Sequence, residues 1–231
     1  DLPAGAAPVD ADEEIRRVAP VIEAIAARFP VPVSVDTSKP QVMRAAADAG
    51  AGLINDVRAL RLPGAMDAAA ALGLPVCLMH MQGDPATMQQ APAYRDVVGE
   101  VIDFLCARTR ACEAAGIGRD RLLLDPGFGF GKTLTHNLAL LAGLGQLAAL
   151  GLPVVVGLSR KSMLGTLTGR PVEDRLAGSL AAAVLAAERG AVLVRAHDVA
   201  QTVDALAVLA ALGSTQASPP RGTVSGRLGQ T

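Results

Sequence analysis

Six short apolar runs, each reaching a polar or charged residue, limit what this chain can fold into. They are PVSVD (to Asp36), GLINDV (Asn55), PVCLMH (His80), LLLDPG (Asp125), PVVVGLSRK (Ser159 to Lys161) and AVLVRAHD (Arg195 and His197). Each is rich in Val, Ile or Leu and is followed by a helical pattern, which is how a repeated strand-helix unit around a buried parallel sheet reads. In (β/α) barrels the C-terminal ends of the strands form the active-site face. Two carboxylates, an amide, a lysine, an arginine and two histidines would converge there. That combination suits a polar ligand.

At 231 residues the chain is long enough for one α/β barrel domain. Half of it is apolar but only 2% is aromatic, so the core has to be built from Ala, Val, Leu and Ile. A net charge of -1 gives no reason to expect nucleic acid or an anionic membrane as partner. Cys77, Cys106 and Cys112 have no CxxC spacing and an odd count, which argues against a disulfide framework and for a reducing cytoplasm. Cys77, inside an apolar run, is expected to pack as a small hydrophobe. Residues 1 to 14 are acidic and Pro-rich and do not read as a secretory signal. Leu138 to Leu158 carries no charge, yet it contains Gln146, Pro153 and four glycines. Those residues predict helix, turn and strand rather than a membrane span.

Asp10 and Glu13 form a capping pattern ahead of Ile15, Val18, Ile22 and Ile25 at helical spacing. A strand at Val31 to Asp36 follows. Helices are predicted at about Gln41 to Ala49, Pro63 to Leu72, Tyr94 to Ala115, Asn137 to Leu150, Val172 to Arg189 and Val199 to Leu212. Gly-Leu-Pro-Val occurs twice, at Gly73 to Val76 and Gly151 to Val154, in keeping with a repeated unit. Residues 1–213 are expected to form the barrel domain. Residues 214–231, with almost no apolar anchors, are expected to form a disordered tail.

The segment Asp125 to Lys132, DPGFGFGK, is the most specific local feature. Pro126 breaks the phosphate-loop pattern, and the even spacing of Gly127, Gly129 and Gly131 breaks the dinucleotide one. What remains is a mobile, close-approach loop after a strand ending in a carboxylate, or a tight turn that Asp125 caps. Asp36 and Asn55 end successive strands and suit a heterocycle with an amino-pyrimidinone edge. The alternatives are a turn cap for Asp36 and an Asx-turn for Asn55. Lys161 and the Arg195/His197 pair, with Arg160 beside them, suit an anion such as a phosphate or diphosphate. An Arg195–Asp198 salt bridge and a satisfied core histidine are the plainer reading. His80, flanked by Met79 and Met81, reads as a structural, hydrogen-bonded histidine, and His136 as a helix cap. No Ser-His-Asp, HExxH or metal-ligand spacing is visible.

Taken in order, SVDTSKP, INDVRAL, LMHMQGDPATMQ, LLLDPGFGFGKT, GLSRKSMLG and RAHDV resemble the dihydropteroate synthase family from about Gly5 to Leu212. The resemblance implies a (β/α)8 barrel that condenses 6-hydroxymethyl-7,8-dihydropterin diphosphate with 4-aminobenzoate. The products are 7,8-dihydropteroate and diphosphate, a step of folate biosynthesis and the target of sulfonamides. It implies a pterin pocket of Asp36, Asn55, Met79, Asp125 and Lys161, an aminobenzoate pocket with Phe130 and Ser159, and a diphosphate pair of Arg195 and His197. No acid or base is assigned. Partners would be the two substrates, with no nucleic acid and no membrane, and a homodimer as the candidate assembly. Mg2+ is the implied cofactor, but the family asparagine that holds it belongs to a segment expected ahead of Gly5. Two strand motifs of the family are absent, so six of eight strands are expected and turnover of this chain is expected to be lost or impaired. Two alternatives remain open: a pterin-binding methyltransferase domain, and a non-catalytic relative that binds pterin or a partner.

Overall fold

The computed structural model of the chain describes residues 9–83, 88 and 91–216. Six parallel strands pair strictly in chain order: β1 (Ser34–Asp36), β2 (Leu53–Asp56), β3 (Val76–Met79), β4 (Leu122–Asp125), β5 (Val154–Gly157) and β6 (Ala191–Arg195). Helices fill every connection. α1 (Ala11–Arg28) precedes the sheet, α2 (Pro40–Asp48) joins β1 to β2, and α3 (Ala65–Leu72) joins β2 to β3. α4 (Val97–Ala114) leads to β4, α5 (Leu134–Ala142) and α6 (Leu144–Ala148) to β5, and α7 (Ser162–Thr168) and α8 (Leu176–Glu188) to β6, with α9 (Val199–Gln216) after it.

One sheet face is packed against the helices. It carries Val35, Ile54, Val76, Leu78, Leu122, Leu124, Val154 and Val156, all buried, together with Met43 of α2, Leu105 of α4 and Leu140 of α5. The other face carries the polar residues. Asp36 is in register with Asn55, Asn55 with Cys77, and Met79 with Asp125, so these side chains share one face. Cys77 packs there as expected, 1% exposed.

An irregularity in β6 decides where Arg195 points. Val154 faces Ala191, but Val155 faces Leu193, so Val192 is an extra residue in the pairing. The shift sets Arg195 opposite Gly157, on the same face as Asp125. Without it, strict alternation would turn Arg195 toward the helices.

β1 and β6 are the edges, and among the described residues no β1–β6 pairing closes the sheet. Val192 on β6 is 70% exposed. Six strands with two open edges match the sequence reading of this chain. β1 is shorter than predicted, beginning at Ser34 rather than Val31, because Pro32 has no N–H for a ladder. The predicted helix at 137–150 is two helices that meet at Gly143. α7 was not predicted, since Gly165, Thr166 and Thr168 are poor helix formers; burial of Met163 and Leu164 holds it. α9 continues to Gln216, past the expected tail start at 214, and the rest of that tail, 217–231, lies outside the described residues. The uncharged stretch Leu138 to Leu158 is α5, α6 and β5, and among the described residues no helix is long and apolar enough to cross a membrane.

Candidate functional site

At the C-terminal ends of β3 to β6 lies a cavity of about 260 Å³. Met79 ends β3, Asp125 ends β4, Ser159 and Lys161 follow β5, and Arg195 and His197 close β6; all six line it. Phe128 and Phe130, from the loop after β4, complete the wall. Asp36 and Asn55 do not line it directly. Asp36 reaches it through Arg195, whose Nη1 lies 3.1 Å from Asp36 Oδ2, and Asn55 stands beside Asp36 in the sheet.

Neighbours make the turns that Asp36 and Asn55 could have made. Asp56 is fully buried, and its carboxylate accepts the N–H groups of Arg58 and Leu60, both at 2.8 Å, and the Ser38 hydroxyl. Thr37 Oγ1 accepts the Lys39 N–H at 3.2 Å, and its own hydroxyl donates to Glu14 of α1. The turn-capping alternatives therefore fall to Asp56 and Thr37. This arrangement leaves Asp36 and Asn55 on the open face.

The glycine loop is built by close approach. Gly127, Gly129 and Gly131 all have positive φ, and a Cβ at Gly127 would lie 1.9 Å from the His80 carbonyl oxygen. At Gly131 it would lie 2.5 Å from that of Gln82. Asp125 also caps this turn, since its Oδ1 accepts the Gly127 N–H at 2.7 Å, so the close approach and the tight, capped turn occur together. Gly127→Ala is expected to destabilise the protein by about 2 kcal/mol or more, from left-handed strain and the clash. Urea unfolding checks this; an unchanged midpoint would contradict it.

Ser159, Arg160 and Lys161 alternate. Ser159 and Lys161 line the cavity, but Arg160 leaves the expected cationic rim. Its guanidinium grips Asp198 through Nε at 3.1 Å and Nη2 at 2.6 Å. Arg160 also adopts φ 57°, held by its N–H to Ser179 Oγ at 3.0 Å and by Arg175 Nη1 to its carbonyl at 3.0 Å. The plain reading of an Arg195–Asp198 bridge is therefore corrected: Asp198 serves Arg160, and Arg195 serves Asp36. Ser159 Oγ accepts the His197 backbone N–H at 3.2 Å and lies 3.0 Å from His197 Nδ1, which orients the imidazole.

Burial raises the Asp125 carboxyl, while the Gly127 N–H and the nearby Lys161, Lys132 and Arg195 cations pull it back down. Burial lowers Lys161 to about 8, with Arg195 adding to the effect and Asp125 and Asp36 opposing it. The Lys161 ammonium sits 4.5 Å from the Phe130 ring centre. The β3 to β5 side of the cavity thus offers a carboxylate, an ammonium and a thioether, which suits a flat polar heterocycle. The other offers Arg195 and His197, which suits an anion. His80 is structural as expected, buried and edge-on to Phe104 at 5.0 Å. His136 caps α5, its Nδ1 accepting the Thr133 N–H at 3.2 Å. Sequence reasoning missed Phe128 in the cavity wall, and Lys132 and Asn137, which hold the glycine loop from behind; DPGFGFGK was flagged, but nothing local marks its lysine as buried.

Residues 3–197 match the family described as pterin binding enzyme. The dihydropteroate synthase of Escherichia coli K12 is 56% identical over 207 residues, 90% of this chain and 73% of that protein. That of Haemophilus influenzae Rd is 51% identical over 200 residues, 87% of this chain and 73% of that one. The structure of Xanthomonas albilineans dihydropteroate synthase with 4-aminobenzoic acid has a TM-score of 0.89 at 58% identity, covering 95% of this chain and 77% of that chain. The same enzyme in complex with 7,8-dihydropteroate gives 0.85 at 58% identity over 91% and 77%. The Yersinia pestis synthase in a sulfonamide drug complex gives 0.88 at 53% identity over 90% and 76%. With residues 3–197 matching the pterin binding family and relatives this similar, the chain belongs to the dihydropteroate synthase family.

Proposed function

We propose that the protein condenses 6-hydroxymethyl-7,8-dihydropterin diphosphate with 4-aminobenzoate, giving 7,8-dihydropteroate and diphosphate. The observation that carries this reading is the cavity lining, in which Asp125 and Lys161 from the ends of β4 and β5 meet Arg195 and His197 from the end of β6. In this reading Asp125, Lys161 and Met79 hold the pterin, with Asp36 and Asn55 at its outer rim. Phe130 and Ser159 border the aminobenzoate. Arg195 and His197 hold the diphosphate as the C–O bond weakens. The pterin ring delocalises the developing cation, the arylamine attacks the methylene carbon, and the proton on the new anilinium nitrogen passes to water or to the departing diphosphate. Stabilising the leaving diphosphate is the main catalytic lever, and no side chain is needed as a base.

Mg2+, when bound, would offset the charge of the diphosphate leaving group, a common role for this ion beside substrate phosphates. Among the described residues no group of three or more His, Cys, Asp and Glu converges to hold a metal, so they form no protein cage and no step is assigned to the ion. A cytoplasmic setting and a homodimer complete the proposal. The first is supported by Cys77, Cys106 and Cys112, all free, and the second by Val199, Val203, Val208 and Leu212 exposed on α9.

The test is to incubate the full-length natural protein with both substrates and Mg2+, then quantify the products. Equimolar 7,8-dihydropteroate and diphosphate are expected. Pterin binding without diphosphate release would instead indicate a methyltransferase-like or non-catalytic pterin binder. Because Lys161 is cationic below about 8 and neutral above, kcat/KM for the pterin substrate is expected to fall as pH rises through that value. A pH–rate profile flat to pH 10 would contradict the role given to Lys161.

A further inference from the structure

Lys132 is 4% exposed and does not line the cavity, yet its ammonium lies at the centre of the loop that does. Nζ donates to Gly127 O at 2.9 Å and Phe130 O at 3.0 Å, and lies 2.9 Å from His80 Nδ1. Burial lowers Lys132 to about 7, with Lys161 adding to the effect and Asp125 opposing it. In its ammonium form it has three N–H donors and no acceptor, and His80 Nδ1 is then the unprotonated nitrogen. The donors meet acceptors from two different strand-end loops, with the His80 carbonyl a more distant fourth at 3.5 Å. Burial and Lys132 itself lower His80 to about 3, which keeps it an acceptor.

The loop has a second brace. Asn137 of α5, 3% exposed, accepts the Gly129 N–H through Oδ1 at 2.8 Å and donates through Nδ2 to Thr133 O at 2.8 Å. Tyr94 donates its hydroxyl to Gly131 O at 2.9 Å. Tyr94 also meets the β3 loop, its ring centre 6.1 Å from that of His80. Lys132 joins the two loops by hydrogen bonds, tying the Phe130 carbonyl to the His80 ring.

We infer that Lys132 is a positioning residue: its ammonium locks the Gly127–Phe130 loop onto His80 and so sets Phe130 against Lys161, fixing the aminobenzoate wall relative to the pterin wall. The inference rests on the function proposed above for its kinetic consequences, though not for its structural ones. An arginine cannot replace it, because a planar guanidinium does not place one donor at each of three acceptors converging on a single point.

The test uses Lys132→Met in the full-length protein, with two readouts. Three carbonyl or ring acceptors lose their donor, so amide hydrogen exchange at Gly129 and Phe130 is expected to speed up by about tenfold or more, with α4 and α8 unchanged. KM for aminobenzoate is expected to rise by about tenfold, against less than about threefold for the pterin substrate. Should Lys132→Met not fold, Lys132→Arg is expected to show the same pattern in weaker form. Unchanged exchange at Gly129 and Phe130 would overturn the inference, as would a loss of stability with both KM values intact. If the natural protein forms no dihydropteroate at all, the functional reading fails, and the exchange readout still decides the role of Lys132.

Discussion

Replacing Asp125 by alanine is expected to weaken pterin binding by about 2 kcal/mol or more, on the order of 30-fold. Asp125 ends β4, faces the cavity and sits within the field of Lys161, Lys132 and Arg195. Its removal would leave the donors of the heterocycle unpaired in a buried site, the most costly way to lose a hydrogen bond. It would also free the Gly127 N–H, which Asp125 Oδ1 now accepts. Asp125→Asn separates the two effects, since an amide can still cap the turn but no longer offers a charged double acceptor. Calorimetric titration with a pterin checks both variants; wild-type affinity in Asp125→Ala would remove Asp125 from the pterin site.

The second large effect belongs to Arg195. Arg195→Ala is expected to lower kcat/KM for the diphosphate substrate by about 100-fold, the scale of losing a preorganised donor to developing negative charge. Its present partner, Asp36, is a weak competitor for the guanidinium. The pair is largely exposed, 61% and 44% at the side chains, so parting it costs little in water. Binding of a free pterin should therefore change by no more than about fivefold, the range of an exposed ion pair. Arg195→Lys keeps the charge but loses the planar fork, and is expected to fall between the two. Equal losses for free pterin and for pterin diphosphate would argue against a division of the cavity into heterocycle and anion sides.

The sheet was legible because each strand is an apolar run that stops at a polar residue. Asp125 after LLL and Arg195 after AVLV are examples, and Met79, Asp125, Ser159, Lys161, Arg195 and His197 do meet in one cavity. Other features leave no local trace. The bulge at Val192 is one more valine in an apolar strand, yet it turns Arg195 from the helices to the cavity. The separation of Arg160 from its neighbours depends on Asp198, 38 residues later. Lys132 ends the segment DPGFGFGK with nothing in its neighbours to give it a role. Its burial follows from His80, 52 residues earlier, which a single segment cannot reveal. The Asx-turn weighed as the alternative for Asn55 belongs to its neighbour Asp56, because either side chain can make one and only the sheet register distinguishes them.

The central claim is that one cavity joins a heterocycle site to an anion site. The most direct measurement is a calorimetric competition, in which 6-hydroxymethyl-7,8-dihydropterin diphosphate and the free pterin are each titrated with and without inorganic diphosphate. The diphosphate ester is expected to bind more tightly than the free pterin. Inorganic diphosphate is expected to compete with the ester while leaving free pterin binding in place. Equal affinities for the two pterins, with no effect of diphosphate on either, would contradict the central claim.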